Sequence, residues 1–471
     1  MEDRALPLRL VYSDELGQLK VVQTADGAQL GTAAVAATWG QPDKQQCIDC
    51  VQLGSAGGIA DTATAALAVA RCSGIIELRS PLTGDVLGTI PSAGSPAGNG
   101  TKQAADAGRV RGLHLLWGEG ESAGGLPGVL SVTQGGAARV HVPVPAAAAA
   151  DGQQEQQQQQ QQHAAWEERR AWQVPAEVCC TAYDPASGRL AVGCLGAELR
   201  LFDVASGELA FAFKGGKPNM VGLVDRPWNT AIAFLPPASP SSSSGGGGGD
   251  GGAAPGSRLL VGTGYAKVRM YDAEAGKRPQ MELTWGDARI TCLALEPDGQ
   301  RCWVGNSKGQ LEVLDLRTRK FNGAIKGLAG SARGLAAHSE LPVLASVGLD
   351  RYLRLHDRHT RQLLAKVYLK TLPTGVAFCP TDASMLPPLP EVKAADKRRE
   401  KERRRRRSEA AAAAGDSEDD EDEELLGSGA EEEEAEEQEE QQQRQRQRNK
   451  RSKQRSDGKR SKRRAAAGDS D

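Results

Sequence analysis

The chain has 471 residues, enough for one large domain with appendages, and 58 basic against 60 acidic residues leave a formal net charge of −2. That total points to no class of partner, because the charge is concentrated towards the C-terminal end. No run approaches about 18 apolar residues and residues 1–10 hold no continuous apolar core, so neither a membrane span nor a secretory leader is expected; the nine cysteines follow no secreted-type spacing and are expected to be reduced and mostly buried.

Strand signals recur, and no long amphipathic helix competes with them before residue 390. Residues 6–12 (LPLRLVY) read as a strand, Asp14-Glu15-Leu16-Gly17 as a turn, and 18–23 alternate. This is an opening four-stranded unit, or else its first strand closes a ring by pairing with the last unit. Residues 47–90 form a second unit, with a turn at Pro81-Leu82-Thr83-Gly84-Asp85. The small, polar stretch 91–108 reads as a surface loop. A weaker third unit runs from Val110 through LHLLW, GVLSVT and AARVHVP, and an Ala/Gln tract at 146–165 interrupts it. Such a tract has almost no apolar side chain to bury and is expected to be disordered or loosely helical. The fourth unit is 172–213 and the fifth 214–285, the latter split by a Ser/Gly insert at 239–257. Lengthening a surface loop costs roughly a few tenths of a kcal/mol, so the inserts can hang from the ring without breaking it. The sixth and seventh units are 286–325 and 326–378.

The seventh unit has the clearest pattern. Apolar strands at 333–337, 343–347, 352–356 and 363–369 are separated by turns at 338–342 and 348–351. Units 177–213 and 288–325 repeat the plan, each with a strand ending in Val-Gly (Val192-Gly193, Val304-Gly305) and a period-two strand ending near Asp. Four strands in about 45 residues is the size of one propeller blade of the WD-repeat type, and one blade cannot bury both faces alone. The reading is an all-β, seven-bladed WD-repeat β-propeller over 1–380, followed by a disordered charged tail over 381–471. The tail alternates basic (393–407), acidic (418–440) and again basic (441–464) blocks, which do not pack.

Candidate chemistry is sparse. Cys47-x-x-Cys50 lacks a second ligand pair for zinc, and the adjacent Cys179-Cys180 pair reads as packing. Gly262-Thr263-Gly264-Tyr265 lacks the Walker Lys-Ser/Thr and sits between strands, so it reads as a turn. Asp350 reads as the turn residue that accepts hydrogen bonds between the two middle strands. His338 and His356 have no accompanying nucleophile motif, so no catalytic residues, cofactor or metal are expected. The tail clusters Lys397, Arg398, Arg399, Arg403, Arg404, Arg405, Arg406, Arg407 and Lys459, Arg460, Lys462, Arg463, Arg464 fit nuclear import signals and sequence-independent RNA phosphate contacts, or else a solvated tail with no partner.

The segments KGLAGSARGL (326–335), LASVGLDRYLRLHD (344–357) and KVYLK (366–370) together resemble the nucleolar WD-repeat ribosome-assembly factors of the large-subunit precursor. LVDRPWNTAIAFLP (223–236), LLVGTGYAKVRMYD (259–272) and VGNSKGQLEVLDLR (304–317) extend the likeness across 214–372, while in 1–213 mainly LGQLKVV (16–22) fits. The Gln tract, the Ser/Gly insert and the acidic block depart from the family pattern. The resemblance implies a non-enzymatic scaffold in the nucleus and nucleolus, carried on pre-60S particles of rRNA and protein and supporting rRNA processing. It further implies release by an AAA-type ATPase and a connection to an exosome-associated RNA helicase; a monomer is expected. A generic WD-repeat adaptor of a ubiquitin ligase or chromatin complex is the alternative. Within the family-like segments, Lys326, Arg333, Arg351, Arg354, Lys366 and Lys370 are the contact candidates, Arg351 and Arg354 reading equally well as an ordinary solvated strand face. Lys366 and Lys370 share one face, the wet one if Val367 and Leu369 pack.

Overall fold

The computed structural model describes residues 8–24, 33–57, 61–91, 107–118, 125–144, 165–216, 222, 224–236 and 256–379. The expectations for most of the loop at 91–108, for the Ala/Gln tract, for most of the Ser/Gly insert and for the whole tail, its basic clusters included, lie outside those residues.

The described residues form seven four-stranded antiparallel sheets. Blade one holds β1 (Arg9–Asp14), β2 (Leu19–Gln23) and β3 (Ala34–Trp39), and blade two β4 (Ile48–Gly54), β5 (Ala66–Arg71), β6 (Ile76–Arg79) and β7 (Val86–Ile90). Blade three is β8 (Val110–Leu116), β9 (Gly128–Thr133), β10 (Ala137–Val144) and β11 (Ala165–Gln173). Blade four is β12 (Val178–Asp184), β13 (Arg189–Cys194), β14 (Arg200–Asp203) and β15 (Leu209–Ala212); blade five is β16 (Asn229–Phe234), β17 (Arg258–Thr263), β18 (Lys267–Asp272) and β19 (Met281–Thr284). Blade six is β20 (Ile290–Leu295), β21 (Arg301–Asn306), β22 (Leu311–Asp315) and β23 (Lys320–Ile325); blade seven is β24 (Ala332–Ala337), β25 (Val343–Gly348), β26 (Tyr352–Asp357) and β27 (Leu363–Tyr368). The last strand, β28 (Pro373–Phe378), returns to blade one and pairs with β1 as its inner strand. The inner strands β28, β4, β8, β12, β16, β20 and β24 neighbour one another in cyclic order, so the fold is a closed seven-bladed propeller.

Two blade boundaries differ from the sequence reading. Residues 373–378 do not end the seventh blade; they complete the first, and the ring closes through β1–β28 register pairs such as Val11↔Ala377. Residues 165–173 form the outer strand of blade three, where the sequence reading ended the Ala/Gln tract at 165, opened blade four at 172 and placed no strand between them. This outer strand carries Glu167, Glu168, Arg169 and Arg170 and is exposed along most of its length, so it lacks the apolar alternation that marks a half-buried strand.

Packing explains the strand chemistry. The second strand of a blade is buried on both faces, as in β1, β5 and β25, which accounts for apolar runs such as ALAVA at 66–70. Its alternate residues face opposite neighbours: Leu67 and Val69 join the cluster with blade one, Ala66, Ala68 and Ala70 the cluster with blade three. Seven apolar clusters result, one at each blade–blade interface. The Val-Gly signature follows from the same contact. A Cβ on Gly193 would lie 2.8 Å from the Asn229 side chain, on Gly262 2.5 Å from Ile290, and on Gly305 3.0 Å from Ala332, each the first residue of the next inner strand. Glycine there lets consecutive blades approach.

Candidate interaction surface

In such a ring the turns joining second to third strands, and the segments joining an outer strand to the next inner strand, emerge on one face. That face has a repeated construction. In every blade the peptide N–H just beyond the second strand donates to the carbonyl just before the inner strand: Glu15 to Leu372, Cys72 to Cys47, Gln134 to Arg109, Leu195 to Glu177, Gly264 to Trp228, Ser307 to Arg289 and Leu349 to Ser331, at 2.8–3.1 Å. The register then skips the second residue of each inner strand, a β-bulge that takes its side chain out of the ladder. The skipped residues are Thr374, Asp49, Arg111, Cys179, Thr230, Thr291 and Arg333. Sequence reasoning singled out only Arg333 as a contact. A usable signal was present in the recurring pair of a buried residue and a more polar one at the strand start: Val110-Arg111, Ile290-Thr291, Ala332-Arg333.

A cavity of about 430 Å³ opens among these strand starts in blades three to seven. Its charged lining is Arg111, Arg289 and Arg333 against Glu177. Arg111 is held by Gln134, whose Oε1 accepts from its Nε and Nη2 at 3.1 and 2.8 Å. Asp49, the acid at the equivalent place in blade two, is paired with Arg109.

The remaining candidates sit on blade seven. Lys326 is exposed in the segment before β24, Arg351 is exposed at the β25–β26 turn in a left-handed conformation (φ 62°), and Lys370 is exposed beyond β27 (φ 68°). Lys366 and Lys370 are on the wet side, and Val367 and Leu369 are buried, as the alternation required. The Lys366 ammonium lies 4.6 Å from the centroid of the Tyr352 ring, which also stands 5.2 Å from that of Tyr368.

Arg354 departs from the exposure expected of a contact residue. It is 4% exposed, pairs with Asp350 at 2.6 Å and lies 5.3 Å from the Tyr352 ring centroid. Asp350 is the turn residue anticipated: its carboxylate accepts from the Tyr352 and Ala329 N–H groups at 3.2 and 3.1 Å. In blade one Asp14 does equivalent work, accepting from Leu16 and Gln18 N–H at 3.0 and 2.9 Å; in blade six Asn306 accepts from Lys308 and Gln310 N–H, both at 3.0 Å. His338 is likewise committed to a turn, its Nδ1 accepting from Glu340 and Leu341 N–H at 3.1 and 3.0 Å. Thr263 accepts from Lys267 N–H at 3.1 Å, as the turn reading of 262–265 required.

All nine cysteines are free thiols; Cys194, Cys302 and Cys379 are buried and six are half-buried, fewer buried than expected. Cys50 lies against the Val110 carbonyl at 3.3 Å, and burial pushes its thiol up to about 12. Among the described residues no His, Cys, Asp and Glu cluster has metal-ligand geometry.

His356, 2% exposed beside Arg354, has its pKa pushed down from 6.5 to about 4 by burial and then by that guanidinium; burial does the same to His114. Between those values the unfolded chain binds more protons than the folded one, so stability is present above about pH 6.5 and is lost as pH falls towards 4. Each histidine is expected to remove about 2 kcal/mol between pH 7 and 5. Urea midpoints at both pH values should show His356→Gln flattening that slope by one histidine's share.

No family model matches the chain. WD repeat-containing protein 74 of Bos taurus is 38% identical over 198 residues, 41% of this chain and 47% of that protein. Its Mus musculus namesake is 49% identical over 120 residues, 25% of this chain and 31% of that protein. Ribosome biogenesis protein nsa1 of Schizosaccharomyces pombe is 28% identical over 134 residues, 28% of this chain and 34% of that protein. This chain is a relative of WD repeat-containing protein 74 and of Nsa1. It spans about half the length of the bovine relative it matches. The seven-bladed ring agrees with the WD-repeat name, although the repeats end in Phe-Asp, Tyr-Asp, Leu-Asp and His-Asp at Asp203, Asp272, Asp315 and Asp357 instead of Trp-Asp. Those aspartates still brace the following turn; Asp357 accepts from His359 and Thr360 N–H at 2.8 and 2.7 Å.

Proposed function

We propose that this chain is a ribosome biogenesis factor, a non-enzymatic scaffold that docks on nuclear and nucleolar precursors of the large subunit and supports their rRNA processing. The observation that carries the reading is the kinship with proteins named for ribosome biogenesis, and a rigid ring that offers loops rather than a closing cleft suits docking on folded RNA and protein. Lys326, Arg333, Arg351, Lys366 and Lys370 are exposed and supply the cationic contacts; Arg354 supports them from beneath by holding the Asp350 turn. An AAA-type ATPase releases the factor, and an exosome-associated helicase acts on the same particle. Purification of the tagged protein from growing cells should recover large-subunit precursor rRNA together with such an ATPase. Recovery of ubiquitin-ligase or chromatin subunits instead, without rRNA, would overturn the reading.

The tail clusters add nuclear import and salt-sensitive RNA affinity in this scheme. Deleting 391–471 is expected to lower the nuclear fraction severalfold, by fluorescence imaging of a tagged chain, with the thermal melt of the propeller unchanged. An unaltered nuclear fraction rejects the import role.

A further inference from the structure

We propose that the cavity at the starts of the inner strands binds an acidic peptide segment, a carboxylate-bearing extended stretch or terminus of a protein partner. This inference shares Arg333 with the ribosome-assembly reading but rests on the cavity, and its test does not require a ribosomal particle.

Charge is the first argument. Arg111, Arg289 and Arg333 line one cavity against Glu177, and the guanidiniums of Arg289 and Arg333 have no ion-pair partner among the described residues. Guanidiniums converging on a partly enclosed site favour carboxylate or phosphate, which they can grip bidentately. Arg111 is already oriented by Gln134. Two of the three, Arg111 and Arg333, stand at β-bulges, so the repeated latch of the fold re-aims them out of the ladder.

The rest of the lining favours peptide over nucleic acid. Sequence-tolerant binding of single strands relies on open aromatic faces. The one aromatic residue in this lining, Trp228, is half-buried and already engaged: the Tyr265 ring stands perpendicular to it at 5.8 Å, and a Cβ on Gly264 would lie 2.1 Å from it. The hydroxyls of Thr230 and Thr291 donate to the Gly262 and Gly305 carbonyls at 3.1 and 3.3 Å, which leaves their lone pairs as acceptors. A peptide backbone offers a regular series of N–H groups to those acceptors, whereas a nucleic acid would have to turn its ribose hydroxyls or base edges to them, its phosphates having no donor. At about 430 Å³ the cavity suits a few residues of a narrow chain.

The test is photo-crosslinking of the full-length protein with a ten-residue peptide of alternating Glu and Gly carrying a benzophenone side chain, mapped by mass spectrometry. Mapping separates the cavity from the basic tail, which also attracts the peptide. Crosslinks are expected in the segments holding 228–230 and 289–291, and the double variant Arg289→Glu/Arg333→Glu should reduce them by roughly tenfold. Arg289→Gln/Arg333→Gln, a milder change at two exposed positions, should reduce them less at an unchanged melting temperature. Crosslinks confined to the tail, or equal in wild type and both variants, overturn the proposal. So does a twelve-residue oligouridine containing 4-thiouridine that crosslinks to the same segments and displaces the peptide.

Discussion

Asp14→Ala is expected to lower the stability of the propeller by about 4 kcal/mol, read as the shift of its urea midpoint. Asp14 is fully buried at the seam where the two ends of the ring meet. Its carboxylate accepts from the Leu16 and Gln18 N–H groups, pairs with Lys20 at 2.8 Å, and accepts from the Thr371 hydroxyl at 2.8 Å. Thr371 belongs to the segment that leads into β28, so one side chain ties the first blade to the strand that completes it. Removal strands Lys20, itself only 8% exposed, and frees two turn N–H groups. An unpaired buried charge costs several kcal/mol, more than a lost surface pair. Asp14→Asn keeps an acceptor for the backbone and should cost about half as much. A midpoint unchanged by Asp14→Ala would mean that the seam is held by β1–β28 pairing and packing alone.

Arg354→Ala should destabilise by about 3 kcal/mol, whereas Lys366→Ala changes stability by less than about 1 kcal/mol. The two residues are cross-strand partners and both approach the Tyr352 ring. Arg354 is buried and paired with Asp350, whose side chain is 10% exposed, while Lys366 lies on the open surface. Loss of Arg354 leaves the carboxylate with only its two backbone donors. A double-mutant cycle with Asp350→Ala should give a coupling above about 1 kcal/mol. Equal effects of the two alanine variants would show that Arg354 is solvated in solution, as a plain strand face would be.

Much of the architecture was readable one segment at a time. The four strands of blade seven fall within a residue or two of those read from 326–370, because apolar alternation and turn chemistry are local properties of a strand half-buried or buried in its own sheet. The strands that escaped reading are informative for the same reason. β11 is an outer strand rich in Glu and Arg, held by its ladder to β10 more than by an apolar face. β28 is the other: residues 373–378 fall inside the seventh unit as read but beyond its fourth strand at 363–369, and local alternation cannot point to a partner, β1, more than 350 residues away.

The interaction surface divides along the same line. Residue order alone was enough to establish that Lys366 and Lys370 share a solvent face, that Asp350 sits in a turn, and that seven units of this size close into a ring. Burial of Arg354 was not deducible in that way, because it depends on blade six standing against the Arg354 face of blade seven. The gathering of Arg111, Arg289 and Arg333, spread over more than 200 residues of chain, is likewise a consequence of ring closure. Local chemistry dictates which stretches become strands and turns; charge clustering and desolvation are set by contacts between blades, which no single segment of the chain contains.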